Sequence, residues 1–145
     1  MKKTFLIIGG TDGIGRALAN TLATQHNVWI VGRNQTKGQT FIDEFGTNAH
    51  FIQSDISLMK NVVKVSQQIK QSANELDFII HTADILRTTR TNTTEGLETA
   101  IAINFYSRVL LNELLLQDFQ PERIIHIAAA GFPMNGNFDK KFPVT

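Results

Sequence analysis

Short apolar runs alternate along this chain with longer stretches of helical spacing. Thr4-Phe5-Leu6-Ile7-Ile8 is a run of the kind buried in a parallel sheet. It breaks into Gly9-Gly10-Thr11-Asp12-Gly13-Ile14-Gly15, after which Arg16 to Leu22 takes up a helical period. Val28-Trp29-Ile30-Val31 predicts a second strand, ended by Gly32, and residues 35–45 a helix stopped by Gly46. Ala49 to Gln53 predicts a third strand. Ser57 is placed to cap a helix running to about Gln71, with Val62, Val65 and Ile69 on one face. Phe78-Ile79-Ile80-His81 predicts a fourth strand. Residues 94–119 read as one long helix, apolar on more than one face from Ile101 to Leu116, which predicts burial on two sides. Pro121 ends it, and Ile124 to Ala128 predicts a fifth strand.

This alternation predicts an α/β fold, a Rossmann-like doubly wound parallel sheet of about five strands with helices on both faces. With 145 residues, 42% of them hydrophobic, the chain is expected to form one domain, 1–145, with 132–145 an irregular tail. A net charge of +1 gives no push toward nucleic acid. The absence of cysteine excludes disulfides and thiolate chemistry, and no histidines stand at metal-ligand spacing, so no metal is expected. No segment approaches the ~20 apolar residues of a membrane span, and the apolar run after Lys2 and Lys3 is too short for a signal-peptide core. The cytoplasm is therefore the expected location, with no membrane contact.

A strand feeding a glycine turn that opens a helix aims backbone N–H groups and the positive helix end at one spot, which suits phosphate. Gly9 would permit the turn, Gly13 the approach of a pyrophosphate, and Gly15 close packing of helix on sheet. The spacing, and the letters Gly-Gly-Thr-Asp-Gly-Ile-Gly-Arg, closely resemble the cofactor turn of the short-chain dehydrogenase/reductase family, in its common single-domain branch. Ser54-Asp55-Ile56-Ser57 resembles the segment whose aspartate meets the adenine ring. His81-Thr82-Ala83-Asp84 stands where that family has Asn-Asn-Ala-Gly, and the stretch from Ala102 to Arg108 resembles the one carrying its structural and catalytic asparagine, here Asn104. The resemblance spans residues 4 to about 131. It implies strand order 3-2-1-4-5, and a chain truncated before the family's Tyr-x-x-x-Lys segment, so that the C-terminal part of the usual fold is missing.

The resemblance implies a nicotinamide dinucleotide held by Gly9, Thr11, Asp12, Gly13, Ile14, Gly15, Arg33, Asn34, Asp55, Ile56, His81, Thr82 and Ala83. An acidic residue after the second strand would select NAD, but here Gly32-Arg33-Asn34 stands with no carboxylate before Asp43. Arg33 suits a 2′-phosphate, with Lys37 as added charge, so NADP(H) is expected over NAD(H). Arg33 reads alternatively as a solvated loop arginine.

In this family a tyrosine, a lysine four residues on, a serine and the asparagine carry the chemistry. Tyr106 is the only tyrosine, has Leu110 four residues on, and reads as a core or interface aromatic. The family's serine pair is replaced within Ile127-Ala128-Ala129-Ala130-Gly131, so of the four only Asn104 is assignable. Asn104 reads alternatively as a helix-kink residue holding backbone groups. His81 and His126, at strand ends, read either as an unusual acid or base or as hydrogen-bonded structural histidines. Arg87 and Arg90 either meet an anionic substrate or are solvated. The expected function is NADP(H)-dependent hydride transfer to or from a carbonyl or alcohol. Its acid would come from His81, His126, a further C-terminal segment or a partner. The alternatives are a non-catalytic nucleotide-sensing or interaction module, or a truncated remnant. Homo-oligomerisation through the long helix or the fifth-strand edge is expected to cover apolar surface.

Overall fold

A computed structural model describes residues 1–85 and 89–128. Five parallel strands lie in the order β3-β2-β1-β4-β5: β1 Thr4–Ile8, β2 Asn27–Gly32, β3 Ala49–Gln53, β4 Phe78–His81 and β5 Arg123–His126. β1 pairs in register with both neighbours, Ile8 standing opposite Val31 on one side and His81 on the other. All five of its residues are buried, as a central strand covered on both faces must be.

Strand alternation divides the core in two. Leu6, Ile8, Val31 and Ile79 point to one face, where helix α3 (Met59–Ser72) contributes Val62, Val65 and Ile69. Phe5, Ile7, Val28 and Ile30 point to the other, met by Ala19 and Ala23 of α1 (Gly13–Ala23) and Phe41 of α2 (Gln35–Phe45). Each fully buried Leu, Ile or Phe contributes about 1.5–3 kcal/mol of transfer free energy, so β1 anchors both layers. Gly46, at φ +56°, ends α2 and starts a 3₁₀ turn, Gly46–Asn48, leading into β3.

Three expectations need correction. Ser57 caps nothing: its N–H donates to Asp55 Oδ1 at 3.0 Å, and α3 begins two residues later. The orphan N–H groups of Met59 and Lys60 donate instead to the carboxylate of Glu95, at 2.6 and 3.1 Å, from a loop more than thirty residues on. Those bonds, Lys60's first and Met59's second, hold the Glu95 carboxyl below its ordinary pKa.

The long helix predicted for 94–119 starts later and is not uniform. Gly96, at φ +82°, closes a turn by donating to the Thr93 carbonyl, and the Glu98 side chain caps the first helical turn at Ile101 N–H. Helix then runs as α4 (Thr99–Ile101), a π turn over Ala102–Tyr106, and α5 (Ser107–Leu115). Burial on two sides also fails among the described residues. Leu111 and Leu115 are buried, whereas Ile101, Phe105, Tyr106, Val109 and Leu116 are exposed, so Tyr106 is no core aromatic. Ala129 to Thr145, which include the serine-pair position and the expected tail, lie outside the described residues, as does Arg87.

Candidate functional site

The carboxyl ends of β1 to β4 open into a cleft of about 420 Å³. Its floor is the β1–α1 turn, its far walls are Arg33, Asp55 and Ile56 beyond β2 and β3, and its near wall is Thr82 to Ile85 with Ile103. This is where ligands bind in open parallel sheets.

The turn is built by close backbone approach. Gly9, at φ +91°, donates to the Val31 carbonyl at 2.8 Å, and a Cβ on it would stand 2.6 Å from Ala83 N. A Cβ on Gly15 would lie 2.3 Å from the Gly9 carbonyl oxygen and 2.4 Å from Thr82 Oγ1, so the helix can sit this close only without a side chain there. Gly13 differs: at φ +51° it has nothing within 4 Å of the added atom. Two positions lock the turn together and one leaves it bare toward the cleft. The first N–H groups of α1 have no intrahelical acceptor; Gly13 N–H goes to the Asp12 side chain, and those of Ile14 and Gly15 stand at this end of the helix.

Asp12 caps that helix. Its Oδ1 accepts from Gly13 N–H at 2.9 Å, and its other oxygen pairs with Lys37 Nζ. The Lys37 ammonium, and then the Gly13 N–H, hold the Asp12 carboxyl below its ordinary pKa. Lys37 therefore does not stand as free charge at the far wall, as expected, but neutralises the carboxylate at the helix end. Thr11 is buried against Gly32, where a Cβ would fall 2.4 Å from Thr11 Oγ1, and Ile14 is exposed at the lip. Arg33 lines this cleft and an adjoining hollow, where Lys64 of α3 joins it. Nothing in the sequence singled out Lys64, since its position beside Arg33 depends on how α3 packs.

Asp55 and Ile56 line the cleft, one Asp55 oxygen also holding Ser57 N–H. Thr82 and Ala83 line it too, both N–H groups donating to the Ile8 carbonyl, at 2.8 and 2.9 Å. Three expected residues are elsewhere. Asn34 is the N-cap of α2, its Oδ1 accepting from Lys37 N–H at 2.9 Å, and it does not line the cleft. His81 is 1% exposed, behind the cleft, its Nε2 donating to Asn112 Oδ1 at 2.8 Å and its ring stacked on that of His126, centroids 4.7 Å apart. Strand alternation explains this, for Ile80 and His81 face opposite layers. Burial first, with the neighbouring His126 and Arg108 adding to it, pushes the His81 imidazole down to about 4 against the opposing Asn112 bond, so it is neutral at pH 7. Asn104 lies in the π turn and grips Ile85 backbone on both sides, Oδ1 accepting from its N–H and Nδ2 donating to its carbonyl, each at 3.2 Å. Ile103, rather than Asn104, lines the cleft. Among the described residues no group of three acidic or histidine side chains is placed to hold a metal.

A Rossmann-type sheet with a glycine-locked turn at its switch point defines a dinucleotide-binding class of fold. Residues 3–132 match the short chain dehydrogenase family model, and the chain belongs to that family. It is 34% identical over 146 residues to an oxidoreductase of Emericella nidulans, covering 92% of this chain and 44% of the relative. An oxidoreductase of Saccharomyces cerevisiae is 32% identical over 137 residues, covering 90% and 43%. A solved Serratia marcescens short-chain dehydrogenase/reductase superposes with a TM-score of 0.72 at 20% identity, covering 86% of this chain and 54% of that one, which shows the shared fold. The chain spans less than half the length of the curated relatives it matches.

Proposed function

We propose that this chain binds NADP(H) in the cleft and serves as an oxidoreductase that moves hydride to or from a small carbonyl or alcohol. The observation that carries the reading is the β1–α1 turn, where Gly9 and Gly15 close on one another and Gly13 stays bare. A pyrophosphate would rest on that face, against the N–H groups of α1. The adenosine end would lie at Asp55, Ile56 and Arg33. No carboxylate follows β2 before Asp43, and the Arg33 and Lys64 cations share one hollow, which supports a 2′-phosphate. A bound nicotinamide would supply the hydride chemistry. This chain's residues would orient it through Ala83, Ile85 and Ile103 on the near wall. Burial takes His81 out of the role of acid, leaving His126, residues outside those described, or a partner.

A second reading, a nucleotide-sensing module without catalysis, is favoured by one observation. Asn104, the single assignable member of the family's four, has both amide atoms on Ile85 backbone. NADPH turnover across aldehydes and ketones separates the two. Oxidation of NADPH above background supports the enzyme; tight binding with none across the panel supports the sensor.

The exposed side chains Ile101, Phe105, Val109 and Leu116 on one helix, with the β5 edge, support a homo-oligomer. Sedimentation giving a monomer at micromolar concentration would count against it. A cytoplasmic location completes the proposal. Among the described residues no helix is long and apolar enough to cross a membrane.

A further inference from the structure

Arg108 is 7% exposed, and none of the described carboxylates pairs with it. A buried guanidinium is costly unless its donors are satisfied. Its Nη2 donates to two backbone carbonyls, Ala83 at 2.8 Å and Ile127 at 3.1 Å, just beyond the ends of β4 and β5. Its Nε finds no partner among the described residues, which leaves the bonds to those two carbonyls as the ones that tie the side chain to the fold.

Ala83 is also the residue on which the cofactor turn rests. Its N–H donates to the Ile8 carbonyl at 2.9 Å, and its N and Cα lie where a Cβ on Gly9 would clash, at 2.6 and 2.8 Å. The Ala83 backbone is thus held by β1 through its N–H and by α5 through its carbonyl, with the glycine turn packed on it. A point charge on a flexible stem would hold two carbonyls less firmly than a planar guanidinium.

We propose that Arg108 is a positioning residue of the cofactor cleft, fixing the Ala83 wall from behind so that the Gly9 turn keeps the shape that receives the dinucleotide. This rests on the reading that the cleft binds NADP(H). Arg108 touches no ligand in this account; it acts through Ala83.

The test compares Arg108→Met with Leu115→Val, a fully buried change on the same helix away from the cleft. NADPH affinity is measured by fluorescence titration at a temperature where both variants are folded, and exchange of the Ala83 amide is followed in the free proteins. The expected result is at least a tenfold loss of NADPH affinity and faster Ala83 exchange in Arg108→Met, neither in Leu115→Val, with partial recovery in Arg108→Lys. Equal affinity losses in the Met and Val variants, or unchanged affinity in Arg108→Met, overturn the inference while leaving the cofactor reading intact. If Arg108→Met does not fold, Arg108→Lys carries the comparison, with a smaller loss expected and unchanged affinity again overturning the inference. Wild-type protein that binds no NADPH defeats the cofactor reading itself, and this inference with it.

Discussion

The two halves of the sheet are built on opposite plans. From β1 to β3 the interior is apolar, with Phe5, Ile7, Ile30 and Phe41 meeting across the layer. From β4 onward the interior holds buried polar groups, His81 bonded to the half-buried Asn112 and Arg108 to the Ala83 and Ile127 carbonyls, while Phe105, Val109 and Leu116 face outward. The first half closes on itself. The second keeps polar groups inside and leaves apolar side chains exposed. The lining of the cleft is concentrated on the first half and its border with β4.

The difference can be broken most severely at the border. Gly15→Val forces a side chain against the Gly9 carbonyl oxygen, which is backbone and cannot swing aside. Destabilisation of about 3 kcal/mol and loss of dinucleotide binding are expected, read by denaturant unfolding and fluorescence titration. A variant that binds NADPH as wild type does would show that the turn is not locked as described.

Within the second half, the two faces of α5 should respond in opposite ways. Leu111→Ala, at a buried site, should cost about 2–5 kcal/mol. Val109→Ser, on the exposed face, should change stability by no more than about 0.5 kcal/mol while weakening self-association. A large destabilisation by Val109→Ser in a monomeric protein would mean that this face is covered from within the chain.

Acid should find the second half first. Above the ordinary histidine value of 6.5, His81 is neutral folded or unfolded, and the buried ring adds no pH dependence. Between 6.5 and about 4 the unfolded chain takes up the proton first, so stability falls as pH drops, by about 3 kcal/mol in all. His81→Gln should flatten that part of the profile. An unchanged slope would place the acid sensitivity elsewhere.

The fold was legible because its strands are short apolar runs bounded by glycine and polar residues. β1, β3 and β4 lie where their patterns put them, and the glycine turn carried its own context. The helix before β5 was misjudged because apolar residues at its exposed face look in a sequence like a second buried face. Glu95 escaped notice because a carboxylate that caps a helix more than thirty residues away leaves no local signal. His81 and Asn34 were assigned to the cleft by position in a motif. Their side chains follow local demands instead, strand alternation for one and helix capping for the other. Arg108, a polar letter within an apolar helix, acquires its role only when β4 and β5 are brought under it.

The measurement that bears most directly on the account is a calorimetric titration of NADPH and NADH into the wild type and Arg33→Ala. The account predicts that NADPH binds the wild type at least about tenfold more tightly than NADH, a difference of about 1.4 kcal/mol, and that Arg33→Ala removes most of this preference with little effect on NADH. Tighter binding of NADH, or no binding of either dinucleotide, would contradict it.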